Sequence, residues 1–129
     1  MPIRRCSDQN RCSLREFYLE FKISKDMQSQ KLGEAMLEWI DAIDKEFKEI
    51  QIWGLTSITH LVLLSKDDWQ SRWHVRLISN GDEYIIEYLM PNDLAPSPRA
   101  YVKGKCNSLE EGMGMVKVAI ERSKGWEMK

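Results

Sequence analysis

Residues 73–90 read WHVRLISNGDEYIIEYLM, two runs of alternating side chains joined by Asn80 and Gly81. An Asn-Gly pair between alternating runs is the strongest short-range signal for a hairpin with a two-residue type I′ turn. The stretch therefore predicts two antiparallel strands. The position of the turn also predicts the register, and the register determines which side chains share a face.

Counting outward from a two-residue turn places Ser79 opposite Asp82 and His74 opposite Glu87. One face then collects large apolar side chains, and we expect it to form the core: Trp73, Val75, Leu77, Tyr84, Ile86, Tyr88 and Met90. The other face is half polar, as expected where one side of an antiparallel sheet meets water. On that second face we predict a partner-binding set: His74, Arg76, Ile78, Glu83, Ile85 and Glu87.

The composition is that of an ordinary globular domain. The chain has 129 residues, 43% hydrophobic and 30% charged, with a formal net charge of −1, enough to bury one core. No apolar run approaches a membrane span, and no apolar segment follows the amino-terminal arginines, so we expect a cytoplasmic protein. The chain has three cysteines: Cys6, Cys12 and Cys106. An odd number argues against a disulfide framework, and their spacing does not fit a zinc site. We therefore expect neither a metal nor a cofactor.

The pattern along the rest of the chain predicts one domain behind a tail. Residues 1–14 are polar and arginine-bearing, which predicts a mobile tail, and residues 15–129 form the globular part. Alternation from Arg15 to Ile23 predicts a strand. Apolar residues at three- and four-residue spacing predict a helix from Asp26 or Ser29 to about Ile50.

Three further elements follow. Residues 59–65 form a short apolar run and predict a strand, while residues 51–57 are expected to be a connector. Residues 100–103 predict an edge strand, and Ser108 with Glu111 forms a capping box that begins a last helix, with Gly125 at its end. The predicted fold is an α+β two-layer sandwich. Its antiparallel sheet has about four to five strands, and two helices cover one face in the order β-α-β-β-β-(β)-α.

Two functions compete with simple partner binding. His74 and Glu87 could act as a general acid/base couple in a small ligand-binding or enzymatic domain, although an ordinary cross-strand pair is the more frequent arrangement. Nucleic acid could be bound by basic residues of the tail and of the carboxy-terminal third: Arg4, Arg5, Arg11, Arg15, Arg99, Lys103, Lys105 and Lys117. Nucleic-acid-binding domains usually carry a basic excess, whereas the pI here is about 6.1.

The element order from Asp26 to Arg122 resembles, in order only, a double-stranded-RNA-binding domain. Such domains begin the last helix with basic residues, where this chain has Glu110 and Glu111. The order is also similar to small acidic chaperones of bacterial secretion systems and to small toxin-neutralising immunity proteins, without a diagnostic motif. No catalytic motif is present. The sequence thus favours a non-catalytic protein-interaction module, inhibitor/immunity-type or chaperone-like, with another protein as partner and a homodimer as an open alternative.

Overall fold

The computed structural model describes residues 3–9, 12–68, 74–90, 95–97, 100–123 and 126; of His74 it describes the backbone. Three helices are present in these ranges: α1 (Leu14–Lys22), α2 (Met27–Glu46) and α3 (Leu109–Ser123). Six strands accompany them: β1 (Arg4–Arg5), β2 (Trp53–Ser57), β3 (His60–Leu64), β4 (His74–Ser79), β5 (Tyr84–Leu89) and β6 (Tyr101–Cys106).

The strands form one mixed sheet in the order β1-β2-β3-β4-β5-β6. β1 runs parallel to β2, and every later neighbour is antiparallel. The predicted α+β class is confirmed, as is the edge position of the strand near Ala100. The sheet is larger than expected because residues 53–57, expected to be a connector, form β2, and because β1 adds a second edge strand.

The segment predicted as a first strand, Arg15–Ile23, is a helix, and that prediction was wrong. The Ser13 hydroxyl accepts the backbone N–H of Glu16 at 3.1 Å, and the Glu16 carboxylate accepts that of Ser13 at 3.2 Å. This capping box satisfies two amide groups that a helix start leaves unpaired. Leu14 and Tyr18, one helical turn apart, then turn inward and are buried. Local capping and helical burial together outweigh the strand-like alternation.

All three helices pack on one face of the sheet, where they form the main core with strands β3 to β5. The fully buried helix side chains there include Tyr18, Met36, Trp39, Ile40, Ile43 and Val116. The core face predicted for the hairpin is confirmed for its buried members: Val75, Leu77, Tyr84, Ile86 and Tyr88. Met90 is half-buried, and Trp73 lies outside the described residues.

The register predicted for the hairpin was wrong by two residues. Ser79 lies opposite Tyr84, so the loop holds the four residues 80–83 instead of two. The Asn80 side-chain oxygen accepts the backbone N–H groups of Asp82 and Glu83, both at 2.9 Å, which makes a side-chain-supported turn. The Ser79 hydroxyl donates to the Glu83 carbonyl at 2.7 Å. Because side chains alternate with a period of two, this even shift leaves both faces as predicted.

The two predicted helices are confirmed, and α2 ends earlier than predicted. Asp26 caps α2, which ends before Phe47. Ser108 accepts the N–H of Glu111 at 3.2 Å as predicted, while the Glu111 carboxylate accepts from the Ser108 hydroxyl instead of from its backbone. The expected stop at Gly125 lies outside the described residues.

The amino-terminal segment takes part in the sheet where it is described. Arg4 and Arg5 form β1 beside β2, the Ile3 N–H donates to Asp44 at 2.6 Å, and the Cys6 side chain is fully buried. The segment before residue 14, which was expected to be a tail, therefore contains an edge strand. The division into a mobile tail and a separate domain stays a prediction.

Candidate functional site

The second face of the sheet, which we call the outer face, carries the side chains that alternate with the core residues. One row of directly opposed residues crosses it from β2 to β6: Leu55, Val62, Arg76, Glu87 and Lys103. A neighbouring row contains Ile78, Ile85 and Lys105. The three helices pack on the opposite side, so this face has no helix over it in the described part of the chain.

A charge ladder runs through the first row. Glu87 lies opposite Arg76 on one side and opposite Lys103 on the other. Arg76 and Glu87 are half-buried, whereas Lys103 is exposed. Opposite charges on directly facing strands stabilise a sheet by a few tenths of a kcal/mol. The ladder also leaves a pattern of alternating sign that a partner surface can recognise.

This ladder corrects the predicted pairing of His74 with Glu87. The backbone of His74 lies opposite Leu64 of β3, and the two-residue shift brings Arg76 opposite Glu87. A general base needs a hydrogen-bonding partner held in place, and strand register does not provide one for His74. The acid/base couple inferred from a two-residue turn therefore loses its geometric basis.

The predicted contact set divides into three parts. Arg76, Ile78, Ile85 and Glu87 share the outer face and are all half-buried, as their alternation predicted. Glu83 lies in the hairpin loop and forms an ion pair with Lys105 at 3.2 Å. The side chain of His74 lies outside the described atoms, so its place in the set stays a prediction.

His60 is an outer-face residue that the prediction of a contact surface missed. Burial lowers its pKa from the ordinary value of 6.5, the nearby Arg76 lowers it further, and Glu87 opposes both effects. Burial and Arg76 thus favour the neutral imidazole. The alternation of residues 59–65 could have revealed this position, because His60 alternates with the core residues Leu61 and Leu63.

The outer face is closed by apolar packing at its β1–β3 end. Cys6, Val62 and Leu64 are buried together there, with Trp53 and Leu55 packed against them. Burial raises the pKa of the Cys6 thiol to about 11; a backbone hydrogen bond with Asp8 opposes the rise, and Asp67 adds to it. A protonated buried thiol is a packing group instead of a nucleophile. The part of this face open to a partner therefore lies on β4–β6.

Several basic residues considered for nucleic-acid binding make internal contacts. The Arg5 guanidinium donates to the Cys12 carbonyl at 2.7 Å and to the Thr56 hydroxyl at 2.8 Å. Arg15 pairs with Asp41 and with Asp44. Lys117 likewise pairs with Glu46 and Lys105 with Glu83.

Arg4 and Lys103 are exposed, whereas Arg11 and Arg99 lie outside the described residues. Arg5 of the predicted tail and Arg15 of α1 are thus engaged in internal contacts. Nucleic-acid binding by the tail and the carboxy-terminal third stays a prediction.

Comparison of the chain with protein-family models, with curated proteins and with solved structures finds no match. Within the described ranges, no three His, Cys, Asp or Glu side chains come together as a group that could hold a metal ion. No helix in those ranges is long and apolar enough to cross a membrane.

Proposed function

We propose that the protein is a non-catalytic protein-interaction module that binds its partner protein through the outer face of β4 and β5. The observation that supports this proposal is the charge ladder beside two half-buried isoleucines, on a face that none of the three described helices covers. Ile78 and Ile85 supply apolar area next to Arg76 and Glu87. Protein interfaces combine such an apolar centre with a polar surround.

The ladder limits the kind of partner. Arg76 and Lys103 flank Glu87, so a complementary surface presents acidic groups on either side of a basic one. Complementary charge of this kind contributes specificity and association rate more than raw affinity. Inhibitor/immunity-type and chaperone-like roles are both consistent with such a surface. The cytoplasmic location expected from the composition belongs to the same proposal.

Site-specific photo-crosslinking in the native host tests the surface directly. A photo-reactive amino acid at Ile85 should give one discrete protein adduct, identified by mass spectrometry. The matched control is the same amino acid at Glu34, an exposed position of α2 on the helical side, which should not give that adduct. Identical adducts from both positions, or none from Ile85, would contradict the proposal.

A charge exchange then tests the ladder with the partner so identified. The triple variant Arg76→Glu, Glu87→Arg and Lys103→Glu keeps opposite charges on facing strands and should leave the melting temperature nearly unchanged. It presents the reversed pattern to the partner, so the dissociation constant should rise roughly tenfold or more. Unchanged affinity in isothermal titration calorimetry would exclude the ladder as the recognition element.

A further inference from the structure

The β6 edge of the sheet has backbone groups available for another strand. The Met90 N–H donates to the Ala100 carbonyl at 2.9 Å, which marks these two residues as a hydrogen-bonded pair between β5 and β6. Pairs alternate along an antiparallel ladder, so Val102 and Gly104 bond toward β5. Lys103 and Lys105 then direct their N–H and C=O groups away from β5. No described strand pairs with that side.

An apolar groove lies beside this edge, between β6 and α3. It has a volume of about 460 Å³, and its walls include Val102, Gly104, Gly114, Met115 and Val118. Val102 is on the helical side of the sheet and yet is 36% exposed. A β-carbon added at Gly114 would meet no atom within 4 Å. As far as the described residues show, the groove is therefore open next to the edge formed by Lys103 and Lys105.

We propose that β6 and this groove together bind an extended acidic segment of another protein by strand addition. An added strand would lie about 4.8 Å beyond β6 with alternating side chains on the two faces. Side chains on the helical side would reach the groove, where an apolar one fits. Those on the outer face would meet Lys103 and Lys105. This site shares Lys103 with the charge ladder, but it lies at the strand edge and the groove instead of on the face of β4 and β5, and so goes beyond the proposed function.

Charge decides between an acidic segment and a second copy of the chain. Lys103 is exposed and has no ion pair among the described residues, and the Lys105 side chain is 58% exposed although it contacts Glu83. A symmetric β6–β6 pairing centred within residues 103–105 places a lysine directly opposite a lysine. Like charges so placed are destabilising, and edge lysines oppose such self-pairing. Glutamate or aspartate opposite Lys103 would instead be favourable.

Peptide binding to the full-length chain tests the site. The probe is a fluorescein-labelled seven-residue peptide that alternates glutamate with leucine or threonine, followed by fluorescence anisotropy. Its controls are a scrambled peptide of the same composition and a peptide with lysine for every glutamate. The alternating acidic peptide should bind at least roughly tenfold more tightly than either control, and more weakly at higher salt. Equal affinities, or no binding, would overturn the proposal.

Two variants separate the groove from the strand edge. Gly114→Leu should fill the groove and weaken binding at least roughly tenfold without lowering the melting temperature, because the position is open and leucine is a good helix former. Lys103→Pro removes an outward N–H but no bond to β5, whereas Lys103→Ala removes the same charge and keeps the N–H. The proline variant should bind roughly tenfold more weakly than the alanine variant.

Three results would overturn the proposal: unchanged affinity in Gly114→Leu, equal affinity of the two Lys103 variants, or self-association of the free chain that Lys103→Pro abolishes. The last result would make a second copy the occupant. Ile78→Thr, on the outer face of β4, should leave peptide affinity unchanged. Failure at this edge is therefore distinguishable from failure of the proposed sheet-face function.

Discussion

Gly33 of α2 faces α1 so closely that a β-carbon at position 33 would lie 2.7 Å from the backbone oxygen of Tyr18, and still closer to the backbone nitrogen of Lys22. Both obstacles are main-chain atoms, which cannot rotate aside. Gly33→Ala should therefore push the two helices apart and lower the free energy of unfolding by about 1–3 kcal/mol. Urea denaturation measures the change.

Gly114→Ala in α3 is the matched control for that substitution. Both glycines lie inside helices, but the β-carbon at position 114 enters open space. Alanine there should raise the free energy of unfolding by roughly 0.5–1 kcal/mol, because it restricts the unfolded chain. If both variants shift the free energy of unfolding in the same direction, the close approach of the helices at Gly33 does not explain the effect of Gly33→Ala.

The β2–β3 turn should be improved by replacing Ile58. Ile58 has a φ of 58° and its side chain is 88% exposed. A β-branched residue is strained in this region, which the first position of a type II′ turn gives to glycine. Ile58→Gly should raise the free energy of unfolding by about 1 kcal/mol. Thr59→Gly is the control and should not stabilise; equal gains at both positions would contradict strain at Ile58.

A double-mutant cycle tests the corrected register. Arg76 and Glu87 lie directly opposite each other, so Arg76→Ala and Glu87→Ala should couple by a few tenths of a kcal/mol, roughly 0.2–1. The cycle of His74→Ala with Glu87→Ala should give a coupling near zero. A larger coupling energy in the second cycle than in the first would instead support the register of a two-residue turn.

The lowered pKa of His60 predicts a stability that depends on pH. The unfolded chain binds a proton at this residue near pH 6.5, while the folded chain resists it because of burial and Arg76. Since the unfolded state then holds more protons, stability should fall as the pH drops through 6.5 and level off below the folded pKa. Denaturation between about pH 7 and 5.5 should show a smaller decline in His60→Gln than in the wild type. Equal declines would contradict the assignment.

The three thiols should differ in reactivity. All are free; Cys6 and Cys106 are buried, whereas Cys12 is half-buried with its sulfur 3.0 Å from an Arg5 nitrogen. Because only the thiolate reacts and burial raises the pKa of Cys6 to about 11, Cys12 should be alkylated first at pH 8. Mass spectrometry after iodoacetamide treatment assigns the order. Urea should make all three react, and early modification of Cys6 would refute its burial.

Hairpin residues 74–89 illustrate why a face can be predicted when a register cannot. The alternation around Val75, Leu77 and Tyr88 determined which side chains are buried, and an even shift does not disturb it. The length of the loop depends on hydrogen bonds that Ser79 and Asn80 make within the turn. The Asn-Gly pair alone does not predict these hydrogen bonds. Arg76 and Glu87 therefore lie on the predicted surface, although the residues opposite them on the facing strand differ from those predicted.

The predictions for the segments that form helix α1 and strand β2 were wrong for different reasons. Phe17, Leu19 and Phe21 alternate, but Leu14 and Tyr18 also have helical spacing, and the capping pair Ser13 and Glu16 is visible in the sequence. That helix could have been predicted. Strand β2 has no clear apolar alternation in Trp-Gly-Leu-Thr-Ser, because its buried positions are Gly54 and Thr56, and its pairing with β1 joins residues far apart in the chain. Such non-local contacts leave little trace in a local pattern.

The parallel pairing of β1 with β2 has a consequence for the order of folding. Arg4 and Arg5 are synthesised before their partners Trp53 and Gly54, which follow only after both helices α1 and α2. During synthesis the two helices can pair locally, while β1 has no strand to join and must close a long loop afterwards. The amino terminus is therefore expected to complete the sheet late, and until it does the ribosome-bound chain exposes the edge of β2.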